Sequence, residues 1–289
     1  MKVLCSLTLL FWMQFAYAQR INFKTIGNHM IADVMINDSV AAKAFMDTGC
    51  PITIIDSTFA VNSGFKINQE GKRLRYHTFS STSYCYPLMD DTINVNGLRN
   101  SRPVYVGNLK RRKGVSDIDM ILGSDYIAQD GSRMLTLNIA KGYVEYGRKE
   151  IGKGFKEAIM TVDERGFVST DAPLRLYTQN DGNGQLGGRF VIDTGNANYF
   201  FLCGKNERVS EFLKKNGIEP EEKIMHGKTI QYIRMLSAEI LGKEVMMKGA
   251  PLVILPRMRF YDYTGAIGFK FLKEVEMILD YDNNLLYIK

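Results

Sequence analysis

Two stretches of the chain end in the same three residues. Ala44-Phe45-Met46 runs into Asp47-Thr48-Gly49, and Phe190-Val191-Ile192 runs into Asp193-Thr194-Gly195. An aspartate beside a turn is ordinarily a turn residue or a cap. Here each carboxylate follows three apolar residues, where a buried strand ends, and burying a carboxylate is costly unless it is paired or hydrogen-bonded. Two such groups brought face to face cannot both ionise easily, so one keeps a proton while the other stays charged. A pair of this kind can hold a water, deprotonate it for attack on a carbonyl, and protonate the departing group. The titration belongs to the pair, and the sequence assigns the acid role to neither aspartate.

The elements that must position these residues repeat as well. Downstream of the first motif, Met120-Ile121-Leu122-Gly123-Ser124-Asp125-Tyr126-Ile127 answers to Gly265-Ala266-Ile267-Gly268-Phe269-Lys270-Phe271-Leu272. Asp47 and Gly123 are 76 positions apart, Asp193 and Gly268 75. Residues 137–146 and 279–288 form a third parallel pair. One D-T-G is a weak signal; two with the same downstream partner at almost the same distance are a strong one. Residues 30–36 and 41–46 read as strands around an Asn37-Asp38-Ser39 hairpin turn, which is also a glycosylation pattern. Residues 174–177 and 189–192 read as their counterparts around the glycine-rich 181–188, taken as a loop. That stretch fits G-x-G-x-x-G at Gly182, Gly184 and Gly187, but it leads into a strand, which argues against a dinucleotide site. Short helices are expected at 55–60, 124–129, 207–215 and 269–274. The basic, glycine-rich 148–155 reads as the linker.

The rest of the chain narrows the field. Its 289 residues are 45% hydrophobic and 24% charged, a globular composition with no disordered, collagen-like or coiled-coil bias. Three scattered histidines, His29, His77 and His226, give no short ligand spacing, so no metal site is expected. The formal charge of +6 is a mild excess. It concentrates partly at Lys110-Arg111-Arg112-Lys113, read as a solvated loop, and no nucleic-acid partner is expected. Met1-Lys2, the apolar run from Val3 to Phe15 and Ala16-Tyr17-Ala18 together read as a secretory signal peptide cleaved after Ala18. The run is too short to span a bilayer and no second one appears, so no membrane span is expected after cleavage. Cys50, Cys85 and Cys203 then remain, enough for one internal disulfide at most.

On these residues the chain resembles a retropepsin-like aspartic protease, two retropepsin-type halves fused into one bilobal chain as in the pepsins. The resemblance covers residues 19–289. It implies an all-β fold with few short helices, built of two pseudo-two-fold-related, β-barrel-like lobes at 19–150 and 151–289. It also implies catalytic roles for Asp47 and Asp193. Thr48 and Thr194 would grip across the two-fold, and Gly49 and Gly195 would let the backbone approach the carboxylates. Leu122-Gly123 and Ile267-Gly268 would pack beside the active-site loops. The family closes a β-hairpin flap over its substrate; equal offsets from each aspartate place the two tips near Ser81 and Gly227, with Tyr84 as a substrate-contacting residue, while Tyr76, Tyr84 and Tyr86 also read as ordinary strand aromatics. The sequence departs from the family where Cys50 and Asn196 follow the glycines in place of Ser or Ala. A cysteine nucleophile at Cys50 is the competing reading of that residue, though no histidine lies in the motif.

The resulting expectation is an exported, periplasmic or extracellular aspartic endopeptidase. It acts without a cofactor on a polypeptide held extended between the lobes. It works as a monomer, because one chain already carries both carboxylates. The alternative is a catalytically inactive peptide-binding module on the same fold.

Overall fold

The computed structural model describes residues 19–77, 82–90, 93–99, 102–109, 117–127, 134–147, 149–179, 182–225, 228–255 and 262–289. The signal segment, Ser81, Gly227 and the 110–113 basic run lie outside them.

The three residues that lead into each D-T-G are apolar because both faces of the strand are covered there. In Val40–Met46, Ala44 and Met46 point into the main core while Phe45 points into a second cluster with Ile31, Ile54 and Ile121. In Asn183–Asp193, Phe190 and Ile192 join the main core, and Val191 joins a third cluster with Phe201, Tyr263 and Ala266. Each motif strand is the second arm of an antiparallel hairpin, paired with His29–Ile36 in the first half and Val168–Thr178 in the second. Asn37 and Asp38 turn the first hairpin at φ 48° and 57°, the left-handed region that matches the twist of a two-residue turn.

The halves then repeat one connectivity. Met120–Leu122 lies parallel to Val40–Met46 and antiparallel to Ile54–Asp56. Gly265–Gly268 lies parallel to Asn183–Asp193 and antiparallel to Phe200–Cys203. Tyr105–Gly107 runs parallel to Ile54–Asp56 as Lys243–Leu255 does to Phe200–Cys203. Leu74–His77 pairs antiparallel with Thr82–Pro87, and Glu221–Met225 with Lys228–Ile240, in the stretches where the two flaps are expected. Six antiparallel strands join the lobes, in the order Gln19–Asn22, Tyr143–Tyr146, Met134–Asn138, Glu276–Asp280, Leu285–Ile288, Lys156–Val162. The pseudo-two-fold passes between Met134–Asn138 and Glu276–Asp280, where Leu137 pairs with Met277. The molecule is mostly β with short helices, the expected class.

Two local expectations change. The glycine-rich stretch is strand from Asn183 onward, not loop. Gly184 makes room for a helix laid across it: a Cβ there would meet Phe212 Cε2 at 2.8 Å and Asn216 Oδ1 at 2.7 Å. That helix is Glu207–Lys215, at its expected bounds, capped by the Asn206 side chain accepting from Arg208 N. Gly184→Ala is expected to cost about 1–3 kcal/mol by overpacking this contact, checked by urea unfolding; an unchanged midpoint would contradict the packing. In the first half the helix is Ser57–Asn62 rather than 55–60, because Asp56 ends the strand and caps the helix through Thr58 N and Phe59 N.

Candidate active site

Each D-T-G leaves its strand into a tight loop. Cys50 N donates to Asp47 O at 3.0 Å, and Asn196 N to Asp193 O at 3.2 Å. The two loops meet through their threonines, both buried. Thr48 Oγ1 donates to Ile192 O at 2.7 Å and accepts from Thr194 N at 3.0 Å. Thr194 Oγ1 donates to Met46 O and accepts from Thr48 N, both at 3.0 Å. Each hydroxyl therefore satisfies a donor and an acceptor of the opposite half. A threonine can do this and a valine of the same shape cannot.

This grip sets the carboxylates. A methyl group on Gly49 would press against the Asp193 carboxylate, with Oδ2 at 2.9 Å; one on Gly195 would press against that of Asp47, with Oδ2 at 2.5 Å. Each carboxylate thus lies over the glycine of the other loop, where only a residue without Cβ leaves room. Each also accepts a backbone N–H of its own loop at 3.0 Å, Asp47 Oδ1 from Gly49 and Asp193 Oδ1 from Asn196. Asp47 is 5% exposed.

Leu122-Gly123 and Ile267-Gly268 back the loops. Leu122 O accepts from Asp47 N at 2.9 Å, and Gly268 stands beside Asp193 in the parallel ladder. A Cβ on Gly123 would lie 2.6 Å from Cys50 O, and one on Gly268 2.6 Å from Asn196 Nδ2. The two departures from the family turn back on their own loops. The Cys50 thiol donates to Ile52 O at 3.1 Å, and Asn196 Oδ1 accepts from Asn198 N at 3.1 Å. Cys50, Cys85 and Cys203 are thiols, none in a disulfide.

Of the flap residues, Ser81 and Gly227 lie outside the described residues. Tyr84 is on the outer face of its hairpin, half exposed, with the Arg73 guanidinium 4.6 Å from its ring centroid. The pairs Leu74–Cys85 and Tyr76–Ser83 occupy the opposite face. There Tyr76 and Cys85 join Phe45 and Ile121, and Tyr76 OH donates to Asn108 O at 2.8 Å. Strand parity therefore gives the inward position to Tyr76, not Tyr84.

One buried carboxylate was not singled out by its sequence pattern. Asp125 accepts from Thr53 N at 3.0 Å and Thr53 Oγ1 at 2.8 Å, and Thr53 Oγ1 accepts from Gly123 N at 3.1 Å. The signal in the sequence is the broken symmetry: Lys270 stands at the matching position, its ammonium 5.6 Å from the Tyr199 ring centroid. Burial pushes the Asp125 carboxyl up to about 6, against the pull of the Thr53 bonds and the Arg102 charge. The ordinary value is 3.8, so between the two the folded chain keeps a proton that the unfolded chain has lost. The stability this contributes is complete below pH ~4 and is lost as pH rises through ~6, roughly 3 kcal/mol in all. Asp125→Asn is expected to abolish that slope in urea titrations at pH 4 and 7; parallel slopes in variant and wild type would contradict it.

Among the described residues no group of three or more His, Cys, Asp or Glu is placed to hold a metal, and no helix is long and apolar enough to cross a membrane.

Comparison with known proteins follows the same lines. Residues 32–126 match the family model described as aspartyl protease. A comparison with curated protein sequences finds no match. Among solved structures, the aspartic proteinase from Irpex lacteus superposes with a TM-score of 0.58 at 11% identity, over 94% of this chain and 97% of that one. An identity that low speaks for the fold alone. The chain thus matches the aspartyl protease family pattern over the stretch that holds the first D-T-G, and shares the aspartic-proteinase fold over nearly its whole length.

Proposed function

We propose that the chain is an exported aspartic endopeptidase, cleaved after Ala18, whose lobes at 19–150 and 151–289 each supply one aspartate to a single site. Family and fold support aspartyl protease activity in general. The observation that carries the finer reading is the crossed placement of the carboxylates, each over the glycine of the opposite loop. Asp47 and Asp193, one of them protonated, bind a water between them. The ionised member takes a proton from the water as it attacks the scissile carbonyl, and the protonated member assists the carbonyl oxygen. The resulting tetrahedral intermediate breaks its C–N bond as the leaving nitrogen receives a proton from the dyad. Thr48, Thr194, Gly49, Gly195, Leu122, Gly123, Ile267 and Gly268 hold the carboxylates in place and take no part in proton transfer. The peptide lies extended between the lobes under the hairpins, as an added strand, with apolar side chains on either side of the cut. Since both carboxylates belong to one chain, a monomer suffices.

The test is to incubate the purified chain lacking residues 1–18 with a mixed peptide library between about pH 4 and 7, and to read new termini by mass spectrometry. Cleavage between apolar residues, best at mildly acidic pH, is the expected result. A chain that retains peptides yet leaves them intact across the range would be the non-catalytic binding module instead.

A further inference from the structure

The turn at residues 163–167 opens the second lobe, between the strands Lys156–Val162 and Val168–Thr178. It is closed on itself, with Gly166 N donating to Asp163 O at 2.8 Å and Phe167 N to Asp163 Oδ1 at 3.0 Å. Asp163 Oδ2 also accepts from Arg165 Nε at 2.7 Å and from Tyr263 OH at 3.0 Å. Burial pushes the Asp163 carboxyl up, but the bonds from Phe167, Arg165 and Tyr263 outweigh it and hold the group below its ordinary value. Phe167, at the end of the turn, is buried with Val191, Tyr263 and Ala266. Phe167 thus packs on Val191, two residues before Asp193, where the ladder between the two strands ends with Ser169 paired to Val191.

The first lobe reaches across and holds this turn by its backbone. Ser124 Oγ donates to Gly166 O at 2.6 Å, and Arg102 Nη1 to Arg165 O at 2.6 Å. Ser124 is fully buried, and its own N–H donates to Cys50 O at 2.7 Å, inside the loop that follows Asp47. One residue therefore touches the Asp47 loop with its backbone and the second lobe with its side chain. Gly166 has φ 93°, and a Cβ there would lie 2.7 Å from Arg102 Nη1, so glycine is what lets the grip close. The arrangement runs one way only. Phe269 stands where Ser124 does in the other lobe, and its N–H likewise donates to Asn196 O at 2.7 Å, but its phenyl ring has no proton to give.

We propose that Ser124 is an interlobe positioning residue: with Arg102 it holds the 163–167 turn, and through Phe167 that turn sets the Asp193 side of the site against the Asp47 side. Its effect on turnover rests on the protease reading; its effect on the second lobe does not. Two readouts on Ser124→Ala, Ser124→Thr and Tyr126→Phe therefore test it. Tyr126 OH donates to Ile93 O within the first lobe, so Tyr126→Phe loses a buried hydroxyl that does not touch the turn.

By hydrogen exchange, Ser124→Ala is expected to speed exchange about five-fold or more in peptides covering 167–169 and 193–196, with Tyr126→Phe leaving them unchanged. By peptide hydrolysis, Ser124→Ala is expected to lower kcat about ten-fold with KM within about two-fold, and Ser124→Thr to restore most of it. Unchanged exchange in the second-lobe peptides overturns the proposal, as does an equal rise in Tyr126→Phe or a full kcat in Ser124→Ala. If the wild type hydrolyses nothing, the protease reading fails and the exchange result still decides. Should Ser124→Ala not fold, Arg102→Gln is read by the same criteria.

Discussion

Replacing Asp47 by asparagine is expected to lower kcat/KM for peptide hydrolysis by about 10³-fold or more, and Asp193→Asn by as much. An amide can neither accept the water proton nor carry it to the leaving nitrogen, and positioned acid–base catalysis alone contributes about 10²–10⁴-fold. Because the two carboxylates act as one titrating unit, losing either removes both functions, and the double variant should be no worse than the singles. The fold should tolerate the change. Asparagine keeps the carbonyl oxygen that accepts from Gly49 N or Asn196 N, and it removes one of two crowded acids. Unfolding free energies within about 1 kcal/mol of wild type are expected. Measurable turnover above about a tenth of wild type in either variant would sink the dyad.

The second large effect is expected from Thr194→Val. The hydroxyl of Thr194 accepts from Thr48 N and donates to Met46 O, both in the opposite lobe. Valine fills the same space and leaves a buried N–H and a buried carbonyl without these partners, each worth about 1–3 kcal/mol. A loss of about 3–5 kcal/mol in urea unfolding follows. With the loops no longer locked, the carboxylates drift by a fraction of an ångström or more, and a fall of about 100-fold in kcat is expected. Thr194→Ser keeps the hydroxyl and should recover most of both. If Thr194→Val matched wild type in stability and rate, the crossed threonines would not be what holds the site.

Much of this site could be read without coordinates, for a physical reason. Asp47-Thr48-Gly49 and Asp193-Thr194-Gly195 need fixed residue types: a carboxylate, a hydroxyl to cross the interface, and no Cβ under the opposite acid. Leu122-Gly123 and Ile267-Gly268 are constrained in the same way by backbone packed against them. The helix Glu207–Lys215 was equally legible, since Asn206 caps it and Val209 and Phe212 bury one face.

What escaped depends on tertiary contacts. Gly182, Gly184 and Gly187 have loop composition, yet the strand starts at Asn183 and holds Gly184 and Gly187, and Gly184 makes room for a helix some thirty residues away in sequence. Tyr76 and Tyr84 read alike in the sequence, and only the register of their hairpin turns Tyr76 into the apolar cluster and leaves Tyr84 exposed. Asp125 looks like a first-turn helix acid, and only its burial against Thr53 marks it as part of the loop support. The pairing of Met134–Asn138 with Glu276–Asp280 joins segments from the ends of the two repeats, a distance no local pattern records.

The central claim is that both halves of the chain are needed for one hydrolytic site. It is tested most directly by digesting the same peptide library, side by side, with the wild type, Asp47→Asn and Asp193→Asn chains. The account predicts a set of new termini in the wild-type digest and none above background in either variant. The same termini appearing with either variant would contradict it, because one carboxylate would then suffice.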